Sequence, residues 1–373
     1  MRTKLLALAV VGLLATGSVA ACSDDGDSDT SSAPATGAKG SGSGSGKVGV
    51  ILPDTKSSQR WGTDDPKFLK AAFEAANVPV DIQNAQGDKA QFQTIADGMI
   101  ASGVKVLIIV NLDSITGKAV ITKAKAAKIP VIDYDRLTLN GGANYYVSFN
   151  NVQVGVLQGQ GLQQCLTAAG AKNPVIADLN GSPTDNNATE FKQGYESVLQ
   201  PLYDNATYRK GPDQSVDDWN NQEAGIIFDQ MMNQTKNSIN GVLAANDGLA
   251  NAAIQVLKKD QLNGKVPVTG QDATVQGLQN ILAGDQCMTV YKSIKEEANA
   301  AAGLAIRLYK GQKDSTAFTD VKDPESGLRL PAILLNPAAI TKENIKLVID
   351  QKFVTRKAVC AGDYEKYCVA AGL

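Results

Sequence analysis

The residues of this 373-residue chain best suited to chemistry are hydrogen-bonding side chains and two indoles, gathered just after short apolar runs. Pro53-Asp54 is followed by Gln59-Arg60-Trp61, and further on come Asp133-Tyr134-Asp135-Arg136 and Asn150-Asn151. Later runs end in Asn180 to Asn187, in Asn246-Asp247 and in Gly270-Gln271-Asp272. A hydroxyl group both donates and accepts, so carboxylates and amides satisfy it from two sides while guanidinium groups donate to ring oxygens. An indole offers a flat apolar face for the C–H side of a sugar, and the two tryptophans, Trp61 and Trp219, each sit in a polar loop. Taken singly, such residues are also what turns and helix N-caps require, and Asp185 or Asn246 could be a cap and nothing more. Their concentration at the ends of successive runs is what points to recognition of a neutral polyhydroxylated molecule. The chain has no histidine, which removes the commonest general base and the usual zinc ligand. No cysteines recur at metal-ligand spacing, and no cofactor is expected.

These loops need a scaffold that brings strand ends together. Apolar runs at Val48 to Leu52, Val78 to Ile82, Val104 to Val110 and Ile129 to Ile132 alternate with helical spacing over Pro66 to Ala76, Ala90 to Ser102 and Ser114 to Ala127. That alternation predicts β-α-β units around a parallel sheet. A second set follows: strands at Pro174 to Ala177, Gly241 to Leu243 and Val266 to Val268, with helices at Asn187 to Leu199, Asn221 to Met232 and Leu249 to Lys258. Two complete α/β sets predict two similar lobes. In such sheets ligands bind beyond the carboxyl ends of the strands, where the polar clusters lie.

The N-terminus reads as an export signal over residues 1–21: Arg2 and Lys4, the apolar run Leu5 to Ala15, then small residues before Cys22. Val19-Ala20-Ala21-Cys22 resembles a bacterial lipobox, with Cys22 as the lipidated residue. Acyl chains contribute about 0.8 kcal/mol per buried methylene, and two or more hold a protein stably at a membrane. Residues 22–46, ending in a Gly-Ser repeat, read as a flexible tether. Cleavage takes two positive charges from a net −2, leaving −4. With no basic patch, nucleic acid is excluded as a partner. Of the remaining cysteines, Cys360 and Cys368 are close enough in sequence to predict a disulfide, and Cys165 with Cys287 follows only by elimination.

Several stretches also resemble a known family. Arg60-Trp61, Tyr134-Asp135-Arg136, Ser148-Phe149-Asn150-Asn151, Gly181-Ser182-Pro183 with Asp185-Asn186-Asn187-Ala188, Ala245-Asn246-Asp247, Gly270-Gln271-Asp272 and Met288 to Lys292 stand in the order found in type I periplasmic binding proteins. The xylose-binding and multiple-monosaccharide-binding members are the most similar. The resemblance implies an α/β fold of two Rossmann-like lobes with parallel sheets, joined by three hinge crossings. It implies that Arg60, Trp61, Asp135 and Arg136 face Asn186, Asn187, Trp219, Asn246, Asp272 and Lys292 around a sugar. The expected lobes are 47–149 plus about 293–327, and 150–292 plus about 328–350, with 351–373 as a C-terminal cap. Phe149-Asn150-Asn151 departs from the frequent Phe-Asp-Asn, and the four mature cysteines and the tail 357–373 lie outside the pattern.

The expectation is therefore a monomeric lipoprotein on the outer face of the membrane that closes on a monosaccharide, xylose-like, and hands it to an ABC permease. The same closed form could instead be read by a membrane sensor. A glycoside-acting enzyme would need two opposed carboxylates, for which Asp135 and Asp272 are the candidates.

Overall fold

The computed structural model describes residues 46–312 and 318–373. The export segment, Cys22 and all of the tether but its last residue lie outside the described residues.

The first half alternates regularly: β1 (Val48–Leu52), α1 (Asp64–Ala75), β2 (Val80–Asn84), α2 (Lys89–Ala101), β3 (Val106–Ile109), α3 (Ser114–Ala126), β4 (Val131–Tyr134) and β5 (Tyr145–Phe149). There follow α4 (Asn151–Ala168), β6 (Val175–Asn180), α5 (Asn186–Asp204), β7 (Arg209–Ser215), α6 (Asn221–Gln234), β8 (Gly241–Ala244), α7 (Asp247–Lys259), α8 (Val275–Ala283) and β9 (Thr289–Tyr291). The chain closes with α9 (Ile294–Tyr309), β10 (Thr319–Lys322), β11 (Arg329–Leu335), β12 (Ala338–Ile340), α10 (Lys346–Asp350), α11 (Arg356–Val359) and α12 (Glu365–Ala370).

The first lobe holds a sheet of order β10-β11-β5-β4-β3-β1-β2, parallel except for the antiparallel edge β10. Its central strands are buried on both faces, which is why they read as continuous apolar runs. Val48, Val50, Val106 and Ile108 pack on α1 and α9 through Leu69, Phe73, Ala301 and Leu304. Ile51, Leu107, Ile109 and Val131 pack on α2 and α3 through Phe92, Met99, Val120 and Ile121. The period-2 alternation thus divides one strand between two cores. The second lobe has the parallel order β7-β6-β8, which Val268 extends by a single bridge to Val242.

The chain passes between lobes after β5 into α4, after β9 into α9, and between β11 and β12. Asn150 N–H donates to Leu335 O at 2.9 Å, tying the first and third crossings together. Helices α4 and α5 touch backbone to backbone: a Cβ on Gly155 would stand 1.9 Å from Phe191 O, and one on Gly194 2.1 Å from Val152 O. Only glycine permits that approach, which seats the first turns of α5 beside the crossing.

The structure departs from the sequence expectations at three places. Residues 328–350 were assigned to the second lobe, but β11 pairs in parallel with β5 of the first sheet, in register Ala332 with Tyr146. Its apolar alternation would suit either sheet, and only the long-range pairing decides. Strand β7, rich in polar residues and carrying Gly211 and Pro212, was not expected as a strand. It lies at the sheet edge, where a missing N–H costs no ladder bond. Val266–Val268, expected as a strand, makes only the single bridge.

The structure bonds Cys360 to Cys368 and Cys165 to Cys287, with Cα separations of 5.8 and 6.4 Å. Helices α10–α12 pack on α8, forming a small core of their own with Leu278, Leu282, Ile340 and Val348. Among the described residues no helix is long and apolar enough to cross a membrane.

Candidate functional site

The carboxyl ends of both sheets open onto one cleft between the lobes. The 3-10 turn Gln59–Gly62 after β1 and the loop after β4 supply Arg60, Trp61, Asp135 and Arg136. The second lobe supplies Asn187, Trp219, Asn246 and Asp272, and Lys292 stands at the β9–α9 crossing. Of the residues expected here, only Asn186 is not brought in. Its Nδ2 donates to Glu190 Oε1 at 3.1 Å, because one residue along a helix turns the side chain by about 100°.

Asp135 is the hub. Its Oδ2 accepts from Arg60 Nη1 at 2.9 Å and Lys292 Nζ at 3.5 Å, and Asn187 Nδ2 reaches Oδ1 at 3.2 Å. Burial by itself would raise its pKa, but Lys292, then Arg60 and Arg136, outweigh that and hold the carboxyl at about 2. Arg60 is held from behind by Asp65, through Nε at 2.8 Å and Nη2 at 2.7 Å, and by Glu297 at 2.5 Å. Only Nη1 is turned to Asp135. Burial pushes both Asp65 and Glu297 up, against the pull of Arg60. The guanidinium also lies 4.2 Å from the Trp61 ring centroid. The Trp61 Nε1–H is buried and makes no hydrogen bond to the protein.

Across the cleft, Arg136 Nε forms an ion pair with Asp185 Oδ2 at 3.0 Å without a hydrogen bond, and that oxygen accepts from Trp219 Nε1 at 3.1 Å. Asp185 at the same time caps α5 by accepting from Asn187 N–H at 3.0 Å. Asn246 likewise caps α7, accepting from Leu249 N–H at 2.8 Å while lining the cleft. For these residues capping and lining the cleft are one placement, since an N-cap sits at the carboxyl end of the preceding strand. Ser58 Oγ donates to Asp272 Oδ2 at 3.2 Å, a direct bond from one lobe to the other. Lys292 Nζ is 3.9 Å from Asp272 Oδ1.

Asp135, Trp219 and Asp272 all have left-handed backbone, with φ of +62°, +56° and +100°. For a tryptophan this is a true outlier, and such strain persists only where the surroundings over-determine it. At Trp219 the constraint is visible: a Cβ on Gly181 would lie 2.0 Å from the indole ring, so only glycine leaves room for it.

Comparison with known proteins identifies the family. The periplasmic binding protein domain matches residues 48–313. This chain belongs to that family. It is 36% identical over 303 residues to the D-xylose-binding periplasmic protein of Escherichia coli, covering 80% of this chain and 88% of that one. It is 35% identical over 361 residues to the D-xylose-binding periplasmic protein of Haemophilus influenzae, covering 96% and 99%. A solved ABC transporter solute-binding protein from Clostridium phytofermentans with bound β-D-glucose superimposes with a TM-score of 0.76 at 26% identity, covering 84% of this chain and 99% of that one. The architecture is the type I periplasmic binding protein fold.

Sequence reasoning missed several residues of this binding-protein cleft. Phe191 lines it one helical turn after Asn187, a spacing of four that could have been read from α5. Ser57 and Ser58 carry no distinctive signal in a polar loop. Asp65 and Glu297 act through Arg60, and the long-range packing of α9 on α1 is what brings Glu297 there.

Proposed function

We propose that this periplasmic binding protein captures a monosaccharide, a xylose-like aldose, between its lobes and delivers it to an ABC importer while tethered to the outer face of the membrane through lipidated Cys22. The observation that carries the reading is the meeting of Asp135, Arg136, Asn187, Trp219, Asn246, Asp272 and Lys292 in one crevice built from both lobes. The cations Arg60, Arg136 and Lys292 are already matched by Asp135, Asp185, Asp272, Asp65 and Glu297. With these three cations engaged and outnumbered by the five carboxylates, a neutral guest fits better than an anion. Closure over such a guest draws its affinity from contacts made only when both lobes engage. An acid catalyst for glycoside cleavage would need a raised pKa, whereas Asp135 is held at about 2. The xylose-binding relatives favour a pentose.

Both tryptophans flank the crevice, so binding should change their fluorescence and raise the melting temperature. We expect xylose to do both in a panel of pentoses and hexoses; no response to any aldose at millimolar concentration rules the sugar reading out. Anchoring and delivery are tested in cells. Cys22→Ser should release the protein from the membrane fraction, and deletion of the gene should abolish uptake of the sugar at low supply. A serine variant that stays membrane-bound contradicts the anchor, and undiminished uptake contradicts the importer role.

A further inference from the structure

The cleft residues Asp272 and Lys292 share a support that neither the loop composition nor the cleft itself accounts for. Ala273, next to Asp272, and Tyr291, next to Lys292, both belong to the apolar cluster formed by the C-terminal helices α10–α12. Ala273 is fully buried and, like Asp272, has left-handed backbone, with φ +50° after +100°. Two successive non-glycine residues in that region hold only under constraint from outside. On the inner side Asp272 N–H donates to Val290 O at 2.9 Å and Ala273 N–H to Thr289 Oγ1 at 3.2 Å, which joins the corner to β9. On the outer side lie Val348, Val359 and the Cys360–Cys368 bridge, with the Phe353 ring 5.1 Å from that of Tyr291. Gln279 of α8 fixes the cap in place by donating to Ala358 O at 3.3 Å and Val359 O at 3.2 Å.

We propose that the C-terminal cap is a positioning element of the binding cleft: by packing behind Ala273 and Tyr291 it holds Asp272 and Lys292 at their working separation and so sets ligand affinity. No residue of the cap lines the cleft. It acts because a strained corner released from one side relaxes toward ordinary backbone, and its carboxylate moves with it. A displacement of about 1 Å in a positioned group can cost up to about a hundredfold, so partial loosening should cost about tenfold. The affinity part of this claim rests on the sugar reading; the structural part does not.

Phe353→Ala tests it, with Gln279→Ala as a milder variant should the first fail to fold, and Phe353→Tyr as the conservative rescue. Met231→Ala, in the apolar core of the second lobe away from the cap, is the control for lost stability alone. Amide hydrogen exchange of the ligand-free protein should quicken at residues 272–274 and 289–292 in Phe353→Ala and Gln279→Ala but not in Met231→Ala. Calorimetric titration with xylose should show about tenfold weaker binding for Phe353→Ala, restored in Phe353→Tyr, and unchanged binding for Met231→Ala at a temperature where all remain folded. Exchange and affinity equal to the parent protein in both cap variants overturn the proposal, as does Met231→Ala reproducing their effects. Should the parent protein bind no aldose, the sugar reading falls while the exchange comparison still decides the positioning claim.

Discussion

Asp272→Ala is expected to weaken sugar binding by about tenfold to a hundredfold, the equivalent of about 1–3 kcal/mol for a buried partner left unsatisfied. Asp272 bonds across the cleft to Ser58 and lies beside Lys292, so on the proposed reading its loss removes an acceptor for the guest together with a bond joining the lobes. Alanine at φ +100° adds backbone strain that aspartate and asparagine tolerate better. Asp272→Asn is therefore the sharper probe, because it keeps shape and backbone while removing charge. Titration calorimetry of both variants separates the effects. Affinity for xylose unchanged in either would remove Asp272 from the binding surface.

Asp135→Ala should abolish binding and also destabilise the fold by about 3–5 kcal/mol, the usual cost of leaving buried charges without their partner. Lys292 loses its nearer carboxylate, while Arg60 keeps Asp65 and Glu297. The pH dependence carries a sign that can be checked. The Asp135 pKa is about 2 in the folded protein, against about 3.9 in an unfolded chain. Its contribution is therefore complete above about pH 4 and is lost as the pH falls through about 2, amounting to about 2–3 kcal/mol. Other carboxylates held low, such as Asp213 and Asp323, add to the same acid limb. The parent-minus-variant difference in unfolding free energy isolates Asp135: it should be constant above pH 4 and shrink below. A difference independent of pH between 4 and 2 would contradict the ion-pair hub.

The relation of sequence to structure differs from element to element. Val48–Leu52 was legible to the residue because a strand buried on both faces is written as an uninterrupted apolar run. Helix α7 was legible apart from its first turn, where Asn246 was expected in the cleft, with a cap as the alternative, and is cap and cleft wall together. Strand β7 was not legible, since a polar edge strand has no burial to impose a pattern.

What the chain's own order of residues determined is the alternation of strand and helix and the polar groups stationed at strand ends, because both follow from local periodicity and turn chemistry. The tertiary structure alone decided that β11 completes the first sheet, that Glu297 and Asp65 confine Arg60, that Asn187 rather than Asn186 turns inward, and that the cap packs with Ala273, next to Asp272. Each of these depends on a contact between segments far apart in sequence or on the rotation of one helix, and neither leaves a mark in local composition.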